Sequence, residues 1–123
     1  MELEALTDRV IGCAIEVHRC LGPGLLESAY AQCLAHELTH GGIAFEREKA
    51  VGIAYKGTQI DCGFRLDMLV EACLIVELKA VDRLQSIHRA QLLTYMKMTK
   101  VRVGLLVNFN CRVLRDGLVR LVL

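Results

Sequence analysis

Cys73-Leu-Ile-Val-Glu-Leu-Lys79 is a nearly continuous apolar run that ends on an acid and an amine. Such a run fits a central β-strand covered on both faces, because a strand with one solvated face alternates instead. Residues two apart in a strand point to the same side, so Glu77 and Lys79 are expected side by side at its end. Charge placed there costs free energy unless it is paired or binds a metal. Taken alone, a Glu–Lys pair on an exposed strand end is the plainer reading, since E-x-K arises often by chance.

The remaining pattern supplies the frame for that strand. Residues 3–21 place Leu3, Leu6, Val10, Cys13, Val17 and Cys20/Leu21 on one helical face, and Gly22-Pro23-Gly24 ends the helix because proline lacks an amide proton. A second helix is expected over 25–40, with Leu26, Ala29/Tyr30, Cys33/Leu34 and Leu38 apolar and Gly41-Gly42 as its stop. The period then changes to that of strands over 44–55, with Lys56-Gly57 as a hairpin turn. The returning strand carries Ile60, Cys62, Phe64 and Leu66 on one face and Asp61, Gly63, Arg65 and Asp67 on the other. A third helix over 86–100 and a buried strand over 101–109 follow. Asp116-Gly117 then turns a final hairpin between Val113–Arg115 and Leu118–Val122. The order ααβββαββ predicts a single α/β (α+β) domain over residues 1–123, with a mixed sheet flanked by helices.

Composition narrows the function classes. The 123 residues are 54% hydrophobic and 24% charged with one proline, which describes a folded globular chain. A mean hydropathy of +0.38 is high for so small a protein, yet no apolar run approaches the roughly 18–20 residues needed to span a bilayer. The excess is read as a densely buried sheet, with an apolar patch closed by self-association into a homodimer or higher homo-oligomer. A formal net charge of +1 weakens tight autonomous DNA binding, because proteins held mainly by phosphate contacts are usually more basic. The six cysteines form no C-x-x-C pair and no zinc-spaced Cys/His cluster. The start Met1-Glu2-Leu3-Glu4 is acidic rather than signal-like, so a cytoplasmic chain with reduced, mostly buried thiols is expected.

Asp67 raises the interest of Glu77 and Lys79. It closes the strand preceding them, where a hairpin-like neighbour sets its carboxylate beside Glu77. Two carboxylates and a backbone carbonyl make an oxygen cage suited to Mg²⁺ or Mn²⁺, and an adjacent ammonium can hold and polarise an attacking water. A strand-end cap or a partner for Arg65 is the alternative for Asp67. On the third helix His88, Gln91 and Tyr95 form a stripe flanked by Leu92 and Met98 that is expected to face the protein. Buried polar groups need partners, which an active site provides. Glu27 and Tyr30 share a face of the second helix, where Glu27 in the first turn also suits the helix dipole. Glu16 and His18 read as surface or core residues. Of the basic residues Arg83, Arg89, Lys97, Lys100 and Arg102, three (Arg89, Lys97 and Lys100) project away from Gln91 and Tyr95, while Arg83 is the better phosphate contact.

Glu27, Asp67, Glu77-Leu78-Lys79 and Gln91-Leu-Leu-Thr-Tyr95 stand in the order of the PD-(D/E)XK nucleases, and the Q-x-x-x-Y element resembles the RecB-like branch. More narrowly, Gly24-Leu-Leu-Glu27-Ser-Ala-Tyr30 is similar to the signature of the GxxExxY protein family. Glu16-Val-His18 through Gly24, Tyr55-Lys-Gly57, His88-Arg-Ala-Gln91 and Gly104 through Asn110 also resemble that family. The resemblance covers essentially the whole chain. It implies a restriction-endonuclease-like core in which Asp67, Glu77 and the backbone carbonyl of Leu78 ligate the metal, and Glu27 completes or orients its shell, through water if not directly. It further implies that Lys79 positions the nucleophilic water and that Gln91 and Tyr95 orient the lysine or the substrate phosphate. Tyr30, Arg83 and His88 are candidate substrate contacts. Leu66 rather than proline precedes Asp67, a departure the superfamily tolerates. Only Cys111 lies where some RecB-type nucleases carry three cluster cysteines, so no iron–sulfur cluster is expected, and no zinc. The implied activity is Mg²⁺- or Mn²⁺-dependent hydrolysis of nucleic acid, with DNA favoured over RNA and no membrane partner. The alternatives are a non-cleaving module of the same fold that binds protein or nucleic acid or assembles with itself, and a thiol redox protein, which the unpaired cysteines disfavour.

Overall fold

A computed structural model describes residues 2–123. Helices α1 (Leu3–Leu21) and α2 (Glu27–His40) precede strands β1 (Phe45–Tyr55), β2 (Thr58–Val70) and β3 (Leu74–Lys79). Helix α3 (Ser86–Thr99) leads to β4 (Val103–Asn108), and a short 3₁₀ turn, Leu114–Gly117, leads into β5 (Leu118–Val122). The strands form one mixed sheet in the order β1-β2-β3-β4-β5. Only β3 and β4 run parallel, and α3 is the crossover that parallel neighbours require.

The sheet is the middle of three layers. On one side Leu6, Val10, Val17, Tyr30, Leu34 and Leu38 of α1 and α2 pack on Met68, Val76, Leu78, Leu105 and Val107. On the other, Leu92 and Met96 of α3 pack on Leu66, Ile75 and Leu106. Leu74–Leu78 and all of β4 are therefore buried, as the apolar run predicts for a strand covered on both faces. The order ααβββαββ and the mixed sheet flanked by helices are both present.

The details differ from the sequence reading at several points. The buried stripe of α1 runs through Thr7, Ala14 and His18 rather than Cys13 and Cys20, and both Cys20 and Leu21 are exposed. Leu26 is 77% exposed and lies outside α2, which begins at Glu27, two residues later than expected. Residues 113–115 are not a strand. The chain tightens there into the 3₁₀ turn, and β5 pairs directly with β4. The thiols are less buried than expected: Cys13, Cys33, Cys73 and Cys111 are half-buried, Cys20 and Cys62 exposed. No helix among the described residues is long and apolar enough to cross a membrane.

Candidate active site

The site begins with an irregular hairpin. Near the Lys56-Gly57 turn β1 and β2 pair regularly, Tyr55 with Thr58 and Ile53 with Ile60. Two extra residues, Cys62 and Gly63, then bulge out of β2, and the register resumes with Val51 opposite Phe64. Asp61-Cys62-Gly63 is built for this: the Asp61 carboxylate accepts the Gly63 amide proton at 3.0 Å, and Gly63 takes φ +75°, which glycine adopts without a Cβ penalty. The shift brings Arg47 opposite Met68 and sets Glu48, at φ +52°, across from Asp67. Leu66 packs on the α3 side while Met68 packs on the α1/α2 side, so β2 turns over at Asp67.

That turn separates β2 from β3. Their ladder ends at Met68–Val76. Beyond it the carboxylates replace the ladder: the Asp67 amide donates to Glu77 Oε1 at 3.1 Å, and the Leu78 amide donates to Asp67 Oδ2 at 2.8 Å. The Leu78 carbonyl leaves the strand on the same side as its amide, toward the site. Glu77 is only 6% exposed. Burial, reinforced by the charge of Asp67 and a bond to its side chain, pushes the Glu77 carboxyl up to about 8. Lys79, half-buried, forms no ion pair among the described residues, so the plain Glu–Lys pair is absent.

Glu27 enters from the other side of the sheet. The Tyr30 hydroxyl donates to the Gly22 carbonyl at 2.6 Å and accepts from the Leu25 amide at 3.2 Å, while its ring stacks on Phe109 at 4.5 Å. Tyr30 thus locks the Gly-Pro-Gly turn onto the core and fixes where α2 starts. Having no exposed surface, it holds the turn rather than touching a substrate. Glu27, Ser28, Ala31, Arg47, Glu48, Asp67 and Leu78 line one cavity of about 280 Å³. The Glu27 carboxyl is raised first by burial; Lys79 opposes the rise and Asp67 adds to it.

Helix α3 contributes Tyr95, whose hydroxyl is raised by burial and then by the charges of Glu77 and Asp67. Its ring lies 5.9 Å from that of Phe64. Gln91 is exposed rather than turned inward, because Leu92 and Met96 form the packed face. His88 caps its own helix: its Nδ1 accepts the Gln85 amide proton at 3.0 Å. Arg83 lies beyond β3, on a cavity that does not include Asp67. Glu16 pairs with Arg19 on the surface, and buried His18 donates Nε2–H to the Cys111 carbonyl at 2.7 Å, which fits the plainer reading of a surface acid and a core histidine. Arg47 and Glu48 were not legible as site residues. A hairpin without the bulge would set Arg47 opposite Leu66, and the Asp-x-Gly at 61–63 is the one signal of the shift.

The donor set decides what ion the residues suit. Among the described residues no three His, Cys, Asp or Glu side chains gather into a metal cluster. Asp67, Glu77 and the Leu78 carbonyl are three hard oxygen donors, one of the carboxylates buried and costly to charge without a cation. Such a set suits a small divalent ion that retains several waters.

No curated protein and no solved structure matches the chain significantly. A family model described as the PD-(D/E)XK nuclease superfamily matches residues 4–121, which span every element that builds the sheet and the site. With Asp67 bonded to Glu77 and Leu78 where β2 parts from β3, in a mixed sheet between helices, the chain belongs to the PD-(D/E)XK nuclease superfamily.

Proposed function

We propose that the protein is a metal-dependent phosphodiesterase of the GxxExxY type, in the RecB-like branch, that hydrolyses nucleic acid with DNA favoured over RNA. The observation that carries this reading is the crossed pair of bonds holding Asp67 and Glu77 together beside an unpaired Lys79. Asp67, Glu77 and the Leu78 carbonyl would hold Mg²⁺ or Mn²⁺, with Glu27 completing or orienting the shell. When bound, the ion offsets charge growing on the phosphoryl oxygens and makes a bound water more acidic. Lys79 aligns the attacking water and helps move its proton. The Tyr95 hydroxyl, within the field of both carboxylates, orients the lysine or the reacting phosphate, and exposed Gln91 meets the substrate one turn away. Arg47, on the wall of the Asp67 cavity, is a further contact for that phosphate.

Cleavage of single- and double-stranded DNA and RNA with Mn²⁺ tests this. Asp67→Ala and Lys79→Ala are expected to lose at least about 100-fold in rate, with circular dichroism unchanged. A folded wild type that neither cleaves any of these nor binds Mn²⁺ sinks the reading. Mn²⁺ binding without cleavage would select the second reading, a non-cleaving module of the same fold, which the formal charge of +1 favours.

A further inference from the structure

The C-terminal ends of β3 and β4 open onto a second cavity of about 320 Å³, distinct from the one lined by Glu27 and Asp67. Arg83, in the loop after β3, and Arg89, in the first turn of α3, both line it. Arg89 is exposed to solvent, as its place on the helix predicts, and the fold sets it on the same open hollow as Arg83. Asp82, Asn110 and Asp116 complete its polar wall.

The frame of this cavity is rigid. Asn108 is 4% exposed, and its side chain ties the two walls together. Its Oδ1 accepts the amide protons of Val81 at 3.1 Å and Asn110 at 3.2 Å, while its Nδ2 donates to the Val81 carbonyl at 2.9 Å. The Cys111 thiol donates to the Asn108 carbonyl at 3.2 Å. Gly117 packs so closely that a Cβ there would lie 2.1 Å from the Asn108 oxygen. Loop 80–85, the end of β4 and the 3₁₀ turn are therefore one fixed unit. Neither arginine is ion-paired among the described residues, although Asp82 and Asp116 share the cavity. The two aspartates offset the long-range field, so recognition there rests on short-range bidentate bonds from the guanidinium forks, the geometry that fits phosphate oxygens.

The cavity also lies in register with the candidate catalytic end of the sheet. Asn108 is the parallel cross-strand partner of Lys79, and the Phe109 amide donates to the Lys79 carbonyl at 2.9 Å. We infer that Arg83 and Arg89 form a second phosphate subsite, which holds a phosphate group of the substrate strand away from the reacting one. The ligand is an internal phosphodiester of the strand or a terminal phosphate monoester, since both present the same oxyanion. Its place along the strand rests on the nuclease reading; the binding itself needs neither a metal nor Asp67.

The test uses the full chain in EDTA, followed by two-dimensional NMR and titrated with inorganic phosphate. Short single-stranded oligonucleotides with and without terminal phosphates are titrated in parallel. Wild type and Asp67→Ala are expected to show saturable shifts at the Arg89 and Asn110 amides, and an Arg83→Gln/Arg89→Gln double variant is expected to show none. Oligonucleotide affinity should fall in the double variant, with a log–log salt slope shallower by about 0.7 for one lost phosphate contact on a single strand. Loss confined to terminally phosphorylated oligonucleotides assigns the site to a monoester; equal loss on both assigns it to an internal phosphate. A folded double variant that keeps wild-type phosphate shifts, affinity and salt slope overturns the subsite. Absence of nuclease activity with arginine-dependent binding retained sinks the activity and leaves the subsite standing.

Discussion

Glu77 concentrates the energetics of the site. Its carboxyl, pushed up to about 8 by burial beside Asp67, compares with about 4.3 for an unfolded glutamate. A carboxyl whose folded pKa is raised favours the folded state fully below the unfolded value and loses that contribution as pH rises through the folded one. The metal-free protein is therefore expected to lose stability between about pH 4.5 and pH 8. Glu77→Gln keeps the shape without the charge. It should raise the melting temperature of the metal-free protein at pH 8 by roughly 5 °C while abolishing Mn²⁺ binding. Thermal melts at pH 6 and pH 8 with calorimetric Mn²⁺ titration check both, and a lower melting temperature at pH 8 would refute the electrostatic account. Glu77, Lys79 and Asp67 were legible as residues, because an acid and an amine are anomalous at the end of an apolar strand. The bonding of Asp67 with Glu77 and Leu78 was not, since it depends on where β2 parts from β3.

At the scale of elements, two small devices position these groups. The first is the turn before α2, which the Tyr30 hydroxyl closes onto Gly22 and Leu25. Tyr30→Phe leaves the Leu25 amide and the Gly22 carbonyl without that partner at a cost of about 1–2 kcal/mol. The melting temperature should drop by roughly 5 °C, and cleavage should fall because Glu27 moves with the start of its helix. An unchanged melt would count against the role. The second device is the bulge at Asp61-Cys62-Gly63. Gly63→Ala places a Cβ in the left-handed region at about 1–2 kcal/mol. Denaturant titration should report that loss. The cross-strand amide contacts between Arg47 and Met68, read by NMR, should weaken if the register slips. The helices and strands themselves followed from periodicity, to within one or two residues for most. Leu26, Cys20 and the supposed strand at 113–115 did not, because burial and the 3₁₀ turn are set by neighbours rather than by local pattern.

For the whole molecule, the central prediction is that a divalent ion stabilises the fold. An ion that binds the native state alone adds RT ln(1 + [L]/Kd), about 2.7 kcal/mol at one hundred times Kd. Because Glu77 must release its proton to ligate, Mn²⁺ should bind more tightly, and raise the melting temperature more, at pH 8 than at pH 6. Equal binding at both values would mean that Glu77 is not a ligand.

The one-dimensional pattern by itself determined the element order and the doubly covered central strand, and it singled out Asp67, Glu77 and Lys79 as candidates. These follow from periodicity and from the cost of placing charge in an apolar run. Only the tertiary structure decided that Tyr30 and His88 serve the framework, that Arg47 joins the Asp67 cavity and that Arg89 joins Arg83. Each of those outcomes depends on register and on which surfaces meet across a turn. A two-residue bulge changes every downstream pairing in a hairpin while leaving the alternation of the sequence almost untouched.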